Sequence, residues 1–241
     1  AARGPVRSGH RTQSPTPVTR EPLEQLLRDL GPAIRRGTGI AHRTPAQATG
    51  LDAVDRLLGG GFPRGHLSEI SGPISAGRTS LALVLLERTT RSGELAAVID
   101  PGDSFDPASA ARAGVALERV LWARPPDERR ALQCTERLLQ TEGFPLVVLD
   151  LVGRDRAIEP AAGLRLARLA AGNRSTLLIL SQQRLSGPQA ALSLDLRIAR
   201  AHFSGRPSLF EGIESTAVVL RHRSAPTEGQ ARVRFTGSPI E

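Results

Sequence analysis

Gly72-Pro73-Ile74-Ser75-Ala76-Gly77-Arg78-Thr79 lies between an apolar run, Leu67 to Ser71, and a helical pattern, Thr79 to Arg91. A strand that breaks at a glycine, turns, and re-enters a helix at a second glycine presents successive backbone N–H groups and a helix N-terminus to one point. That geometry suits a phosphate. Gly72 and Gly77 supply the backbone freedom, Ser75, Ala76, Gly77, Arg78, Thr79 and Ser80 supply the amides, and the Thr79 hydroxyl suits Mg2+. The pattern is G-x-x-x-x-G-K-[ST] except at Arg78, where lysine belongs. A wide planar guanidinium does not replace a compact ammonium at a point-charge site, so ATP and Mg2+ are expected to bind weakly. A strand-to-helix turn that binds no nucleotide is the alternative.

Working outward, short apolar runs and helical patterns alternate. Strands are expected at Leu67–Ser71, Leu95–Asp100, Val120–Ala123, Leu146–Asp150 and Thr176–Ser181, with helices at Thr79–Arg91, Pro107–Ala113, Asp127–Thr141 and Pro160–Ala171. Repeated strand–helix–strand units imply an α/β fold with a mainly parallel sheet and right-handed crossovers. After Ser181 the character changes: Leu192–Ile198, Ala217–Leu220 and Arg232–Phe235 follow without long helices, predicting an antiparallel extension. Asp150 ends a run of four apolar residues, where a carboxylate can order Mg2+; 78 residues separate it from Gly72, leaving room for two strands between the motifs.

The chain has 241 residues, 39% hydrophobic, and no apolar run near membrane-span length, so no membrane contact is expected. One cysteine, Cys134, cannot bridge internally, and no signal-like segment is apparent at the start of the sequence, so a cytoplasmic location is the default. All 32 basic residues are arginine; with 24 acids the net charge is +8, which favours an anionic partner such as non-specifically bound DNA. Four units are expected: a basic arm at 1–21, an amphipathic helix and linker at 22–48, the α/β core at 49–236 and a tail at 237–241. Five scattered histidines with no cysteine or acid at ligand spacing argue against a zinc site.

Taken in order, Thr49-Gly50-Leu51-Asp52-Ala53, Gly59-Gly60-Gly61-Phe62-Pro63-Arg64-Gly65, the phosphate loop, Ile99-Asp100-Pro101 with Asp106-Pro107, the Asp150 strand and Ile179-Leu180-Ser181-Gln182 resemble a RecA-type recombinase core. The resemblance implies a RecA-like P-loop NTPase fold. Within that superfamily the degenerate loop, basic arm and small size are similar to the ImuA family, RecA-related accessory proteins of the bacterial translesion mutasome, and more distantly to SulA-related division inhibitors. The first implies a role in DNA damage-induced mutagenesis, with RecA and a Y-family-like mutasome subunit as partners and association with the nucleoid after damage. A slow DNA-stimulated ATPase and a SulA-like inhibitor are the alternatives.

Several positions follow from the resemblance. Active recombinases carry a glutamate that activates water where this chain has Gly102, leaving Asp103 as the nearby candidate base. Gln182 matches the phosphate-sensing glutamine. Arg221 and Arg223, in Leu220-Arg221-His222-Arg223-Ser224-Ala225-Pro226, match two lysines that reach a neighbouring subunit's phosphates; a basic edge strand is the bland reading. The two stretches where a recombinase holds DNA, after Asp150 and after Gln182, are short. Arg154, Arg156 and Arg184 are their candidate phosphate contacts, a solvated basic rim the alternative.

Overall fold

A computed structural model describes residues 45–154, 156–224 and 229–236. The expected arm at 1–21, the helix predicted between Pro22 and Gly37, and the tail at 237–241 lie outside these residues.

An eight-stranded sheet organises the described chain. Its strands are β3 (Leu67–Ser71), β4 (Ala96–Ile99), β5 (Val120–Ala123), β6 (Leu146–Asp150), β7 (Thr176–Leu180), β8 (Leu192–Ser204), β9 (Leu209–His222) and β10 (Gln230–Thr236), in the spatial order β10-β9-β8-β3-β7-β6-β4-β5. From β8 to β5 all neighbours run parallel; β9 and β10 add antiparallel. The expected fold class holds, with strand and helix ends within a residue or two of expectation through β7.

Alternation along the central strands explains the layers. Leu146, Val148, Leu178 and Leu180 face one core, and Val147, Leu149, Leu177 and Ile179 face the other, so each strand is apolar on both sides and reads as an unbroken run. The first core receives α1 (Asp52–Leu57), α2 (Arg78–Arg91) and α3 (Pro107–Arg112) through Val54, Leu81, Leu85 and Ala110. The second receives α4 (Glu128–Gln140) and α5 (Pro160–Gly172) through Ala131, Leu139, Leu166 and Ala170. The helices change face where the chain turns back from edge strand β5. Cys134 packs half-buried against the second core, and burial raises its thiol pKa.

Two expectations need correcting. The core begins before Thr49: β1 (Ala46–Gln47) pairs antiparallel with β2 (Phe62–Pro63), and buried Gln47 bonds the Thr89 hydroxyl on α2. The Gly50 turn is fixed by Asp55, whose carboxylate accepts from the Thr49 N–H and hydroxyl and the Gly50 N–H. The antiparallel extension is also far longer than Leu192–Ile198 and Ala217–Leu220, because β8 and β9 have 13 and 14 residues and form a long ribbon. At its far end Phe203, Leu209 and Phe210 are exposed on the surface, with Phe203 and Phe210 stacked edge-on.

Candidate nucleotide site

Because β3, β7 and β6 are adjacent and parallel, Ile70 and Asp150 both have Leu180 as register partner. Their C-terminal ends therefore release the phosphate loop, the Ser181 turn and Asp150 side by side, and β4 delivers Asp100 next to them. Ligands of open α/β sheets bind along this edge, where crossovers diverge.

The phosphate loop has the expected backbone. Gly72 and Gly77 have φ +146° and +89°, Ser75 has φ +64°, and the Ala76 N–H closes a turn on the Pro73 carbonyl at 3.2 Å. Gly77 caps α2 without any side-chain bond, so the first-turn N–H groups of Arg78, Thr79 and Ser80 have no intrahelical acceptors. Pro73, Ile74, Ser75 and Thr79 are exposed at the mouth, while Ala76, Gly77 and Arg78 are buried.

Arg78 departs from what a phosphate-binding cation does. Only 6% exposed, it turns inward and its Nη1 donates to the Ser181 carbonyl. Burial lowers its pKa, partly offset by the nearby Asp150 carboxylate. Gln182, the expected sensor, sits on the same turn and its carbonyl accepts the Gly72 N–H at 3.3 Å.

Asp150 accepts from the Val152 N–H at 2.9 Å and the Ser104 hydroxyl at 3.1 Å, and Ser104 also lies 3.3 Å from buried Asp100. Burial raises the Asp150 carboxyl above the usual carboxylate range; Asp100 adds to this, and the two hydrogen bonds and Arg78 oppose it. A carboxyl raised on folding binds its proton more tightly in the native state, so its stability contribution falls as pH rises from the ordinary carboxylate value through the raised one. Asp150→Asn is expected to resist urea better than wild type at pH 7, with an advantage that vanishes as pH falls below the ordinary carboxylate range. Unfolding curves at several pH values check this, and a variant less stable at pH 7 refutes it.

For Mg2+, the hydroxyl of the exposed Thr79 makes no hydrogen bond to a described residue, and Asp150 keeps lone pairs beyond the two it uses. These two fit an ion that retains most of its ligands as water and phosphate oxygen. Bound there, Mg2+ supplies charge neutralisation at the phosphates.

The expected base is otherwise engaged. Gly102 is exposed, and the Asp103 carboxylate pairs at 2.6 Å with Arg124, which stacks over Trp122. Asp103, the candidate base, therefore engages Arg124 at rest, in a pair whose two side chains are both more than half exposed. Arg154 is half-buried, and Arg156 and Arg184 are exposed; none of the three pairs with a described residue. Arg223 donates to the Pro188 carbonyl at 2.7 Å, whereas the buried Arg221 Nε has no acceptor among described residues.

Two contributors escaped the sequence. Glu69, wholly buried on β3, accepts from the Leu185 N–H at 2.6 Å, the Ser186 N–H at 3.3 Å and the Ser181 hydroxyl at 3.2 Å, anchoring the turn that Arg78 reaches. Its signal was a lone acid within a short buried strand. Phe235 on β10 covers Gly77, and nothing in the linear pattern announces it. A cleft of about 550 Å3 lined by Gln47, Thr49, Arg64 and Arg88 lies instead toward the C-terminal end of α2. The helix dipole there disfavours anions, so the phosphate assignment stays with the N-terminal end.

Comparison with known proteins agrees with this geometry. The chain is 32% identical over 188 residues to Protein RecA of Synechococcus sp. (strain WH7803), covering 76% of this chain and 47% of the relative. It is 34% identical over 132 residues to Protein RecA of Picosynechococcus sp. (strain ATCC 27264 / PCC 7002 / PR-6), covering 54% and 38%. The chain thus spans about half the length of these relatives. The crystal structure of the RadB recombinase superposes with a TM-score of 0.63 at 23% identity, over 81% of this chain and 100% of that one, which supports the fold. The RecA N-terminal domain family matches residues 23–180, a span that holds the phosphate loop, Asp100 and Asp150, and the chain belongs to that family.

Proposed function

We propose that this chain is a RecA-like accessory protein of DNA damage-induced mutagenesis, as its resemblance to the ImuA family implies. It docks on RecA and on a Y-family-like polymerase subunit, binds nucleotide weakly, and touches DNA only non-specifically. The observation that carries this reading is the closure of the two stretches where a recombinase holds DNA. The first, 151–159, and the second, 181–191, are joined by the Ile158 N–H on the Leu185 carbonyl at 2.9 Å, and the second is tied down by Glu69 and by the Ala191 N–H on the Leu67 carbonyl at 2.8 Å. Loops this short and this anchored leave little chain to reach and stretch a DNA strand. The candidate partner contacts are Arg221, half-buried within β9, and Arg223, exposed just beyond it and bonded at rest to the Pro188 carbonyl.

The test is binding of the purified chain to RecA assembled on single-stranded DNA, beside strand exchange and steady-state ATP hydrolysis. Saturable binding without strand exchange is expected, weakened at least tenfold by Arg221→Glu with Arg223→Glu. DNA-stimulated turnover abolished by Asp150→Ala, without RecA binding, replaces this reading with the slow ATPase. Binding to a tubulin-like division protein in place of RecA replaces it with the inhibitor.

A further inference from the structure

The cation at position 78 and the turn after β7 form one assembly. Arg78 bonds the Ser181 carbonyl from the phosphate-loop side, and Gly72 bonds the next carbonyl, that of Gln182. From beneath, Glu69 holds the same turn through Ser181, Leu185 and Ser186, and Leu185 passes the restraint to Ile158 on the neighbouring loop. The turn is thus clamped between a guanidinium and a carboxylate, the first belonging to the phosphate loop itself.

The mouth of that loop, Pro73 to Ser75, is exposed, whereas the Arg78 head is buried under it against Ser181. One head group cannot hold both places. A buried guanidinium whose one acceptor among the described residues is a neutral carbonyl gives up hydration that this bond and the nearby Asp150 charge recover only in part, so a polyphosphate at the mouth is a competitive alternative. A ligand that binds one of two states better shifts the population toward it.

We propose that Arg78 is a latch: without ligand it locks the 181–186 turn to the phosphate loop, and a polyphosphate anion such as a nucleoside triphosphate releases that turn by drawing the guanidinium away from Ser181. The inference rests on the phosphate-loop reading for its ligand but not for its resting state, and the two parts fail separately. The device differs from a glutamine sensor, because here the cation beside the phosphates holds the turn directly.

Hydrogen–deuterium exchange of the full chain at the Gly72, Leu185 and Ser186 amides tests it, with inorganic tripolyphosphate as probe. Arg78→Ala without ligand is expected to speed exchange at these amides at least tenfold, and millimolar tripolyphosphate to do the same in wild type but add nothing in the variant. Arg78→Lys, which keeps the charge and most of the stem, guards against a variant that does not fold and is expected to exchange fast without ligand and to bind tripolyphosphate more tightly than wild type. Gln182→Ala should leave the wild-type response intact. Unchanged exchange in folded Arg78→Ala or Arg78→Lys overturns the latch. Wild-type amides that ignore tripolyphosphate, or become better protected, overturn its release by phosphate while leaving the resting contact in place.

Discussion

Replacing Glu69 by leucine is expected to lower the unfolding free energy by about 3 kcal/mol or more, the sum of three buried donors left without an acceptor. The carboxylate is wholly buried and receives the Leu185 and Ser186 amides and the Ser181 hydroxyl, none of which has water in reach to replace it. Leucine approximates the volume but offers no lone pair, so the transfer gain of an apolar side chain does not offset three orphaned polar groups. Glu69→Gln keeps one acceptor oxygen and should lose about half as much. Urea unfolding followed by circular dichroism separates the two. A loss below about 1 kcal/mol for Glu69→Leu would mean that the 181–186 turn finds its own hydrogen bonds, and that the closure of the second loop is not imposed by β3. The effect on binding runs the other way: a turn released from Glu69 should lengthen the reach of Arg184 and raise any non-specific binding to DNA at low salt.

Glu69 also marks the limit of what the linear pattern reveals. The parallel strands were legible because burial on both faces writes a run such as Leu146-Val147-Val148-Leu149, and the phosphate loop because its glycines answer to local backbone demands. The partner of a buried polar group answers to topology instead. Glu69 and Arg78 meet a turn more than a hundred residues away, and only the adjacency of β3 and β7 brings it to them. The identity of Arg78 was readable, but not the direction of its side chain. The Asp103 ion pair was hidden for the same reason, since Arg124 reaches it from the end of β5, across the parallel pairing of β4 and β5.

The long ribbon was missed for a different reason. Period-two alternation is written by a strand with one wet and one dry face, and register shifts at Ser193/Leu194, Ile198/Arg200 and His202/Phe203 break it along β8. Beyond them both faces are exposed, so Phe203 to Glu211 carry no inside–outside pattern at all. The segments that were found, Leu192–Ile198, Ala217–Leu220 and Arg232–Phe235, include Leu194, Leu196, Ala217, Val219, Val233 and Phe235, which enter the first core.

That packing of the ribbon against the phosphate loop sets the second large effect. Gly72→Ala is expected to cost more than about 3 kcal/mol, because a Cβ there stands 2.2 Å from the Leu196 carbonyl oxygen on top of the strain of φ +146°. The carbonyl cannot retreat: Leu196 is paired with Ala217 on β9, and the preceding residue, Asp195, with Ser71 on β3. Gly93→Ala is the control, with φ +88° and nothing within 4 Å, and should cost only the left-handed strain of about 1–2 kcal/mol. Gly77→Ala falls between them, since its Cβ meets the Phe235 ring at 2.5 Å and a side chain can shift where a paired strand cannot. Removing the ring should therefore rescue it: the penalty of Gly77→Ala measured in a Phe235→Ala background is expected to shrink toward that of Gly93→Ala, whereas the Gly72→Ala penalty is expected to be indifferent to Phe235. Urea midpoints for the four single variants and two doubles decide the matter. Equal costs at 72, 77 and 93 would mean that these glycines serve backbone conformation alone. The expected order means that the glycine loop between β3 and α2 is shaped from behind by the antiparallel ribbon, so that anything bound to the ribbon is mechanically continuous with that loop.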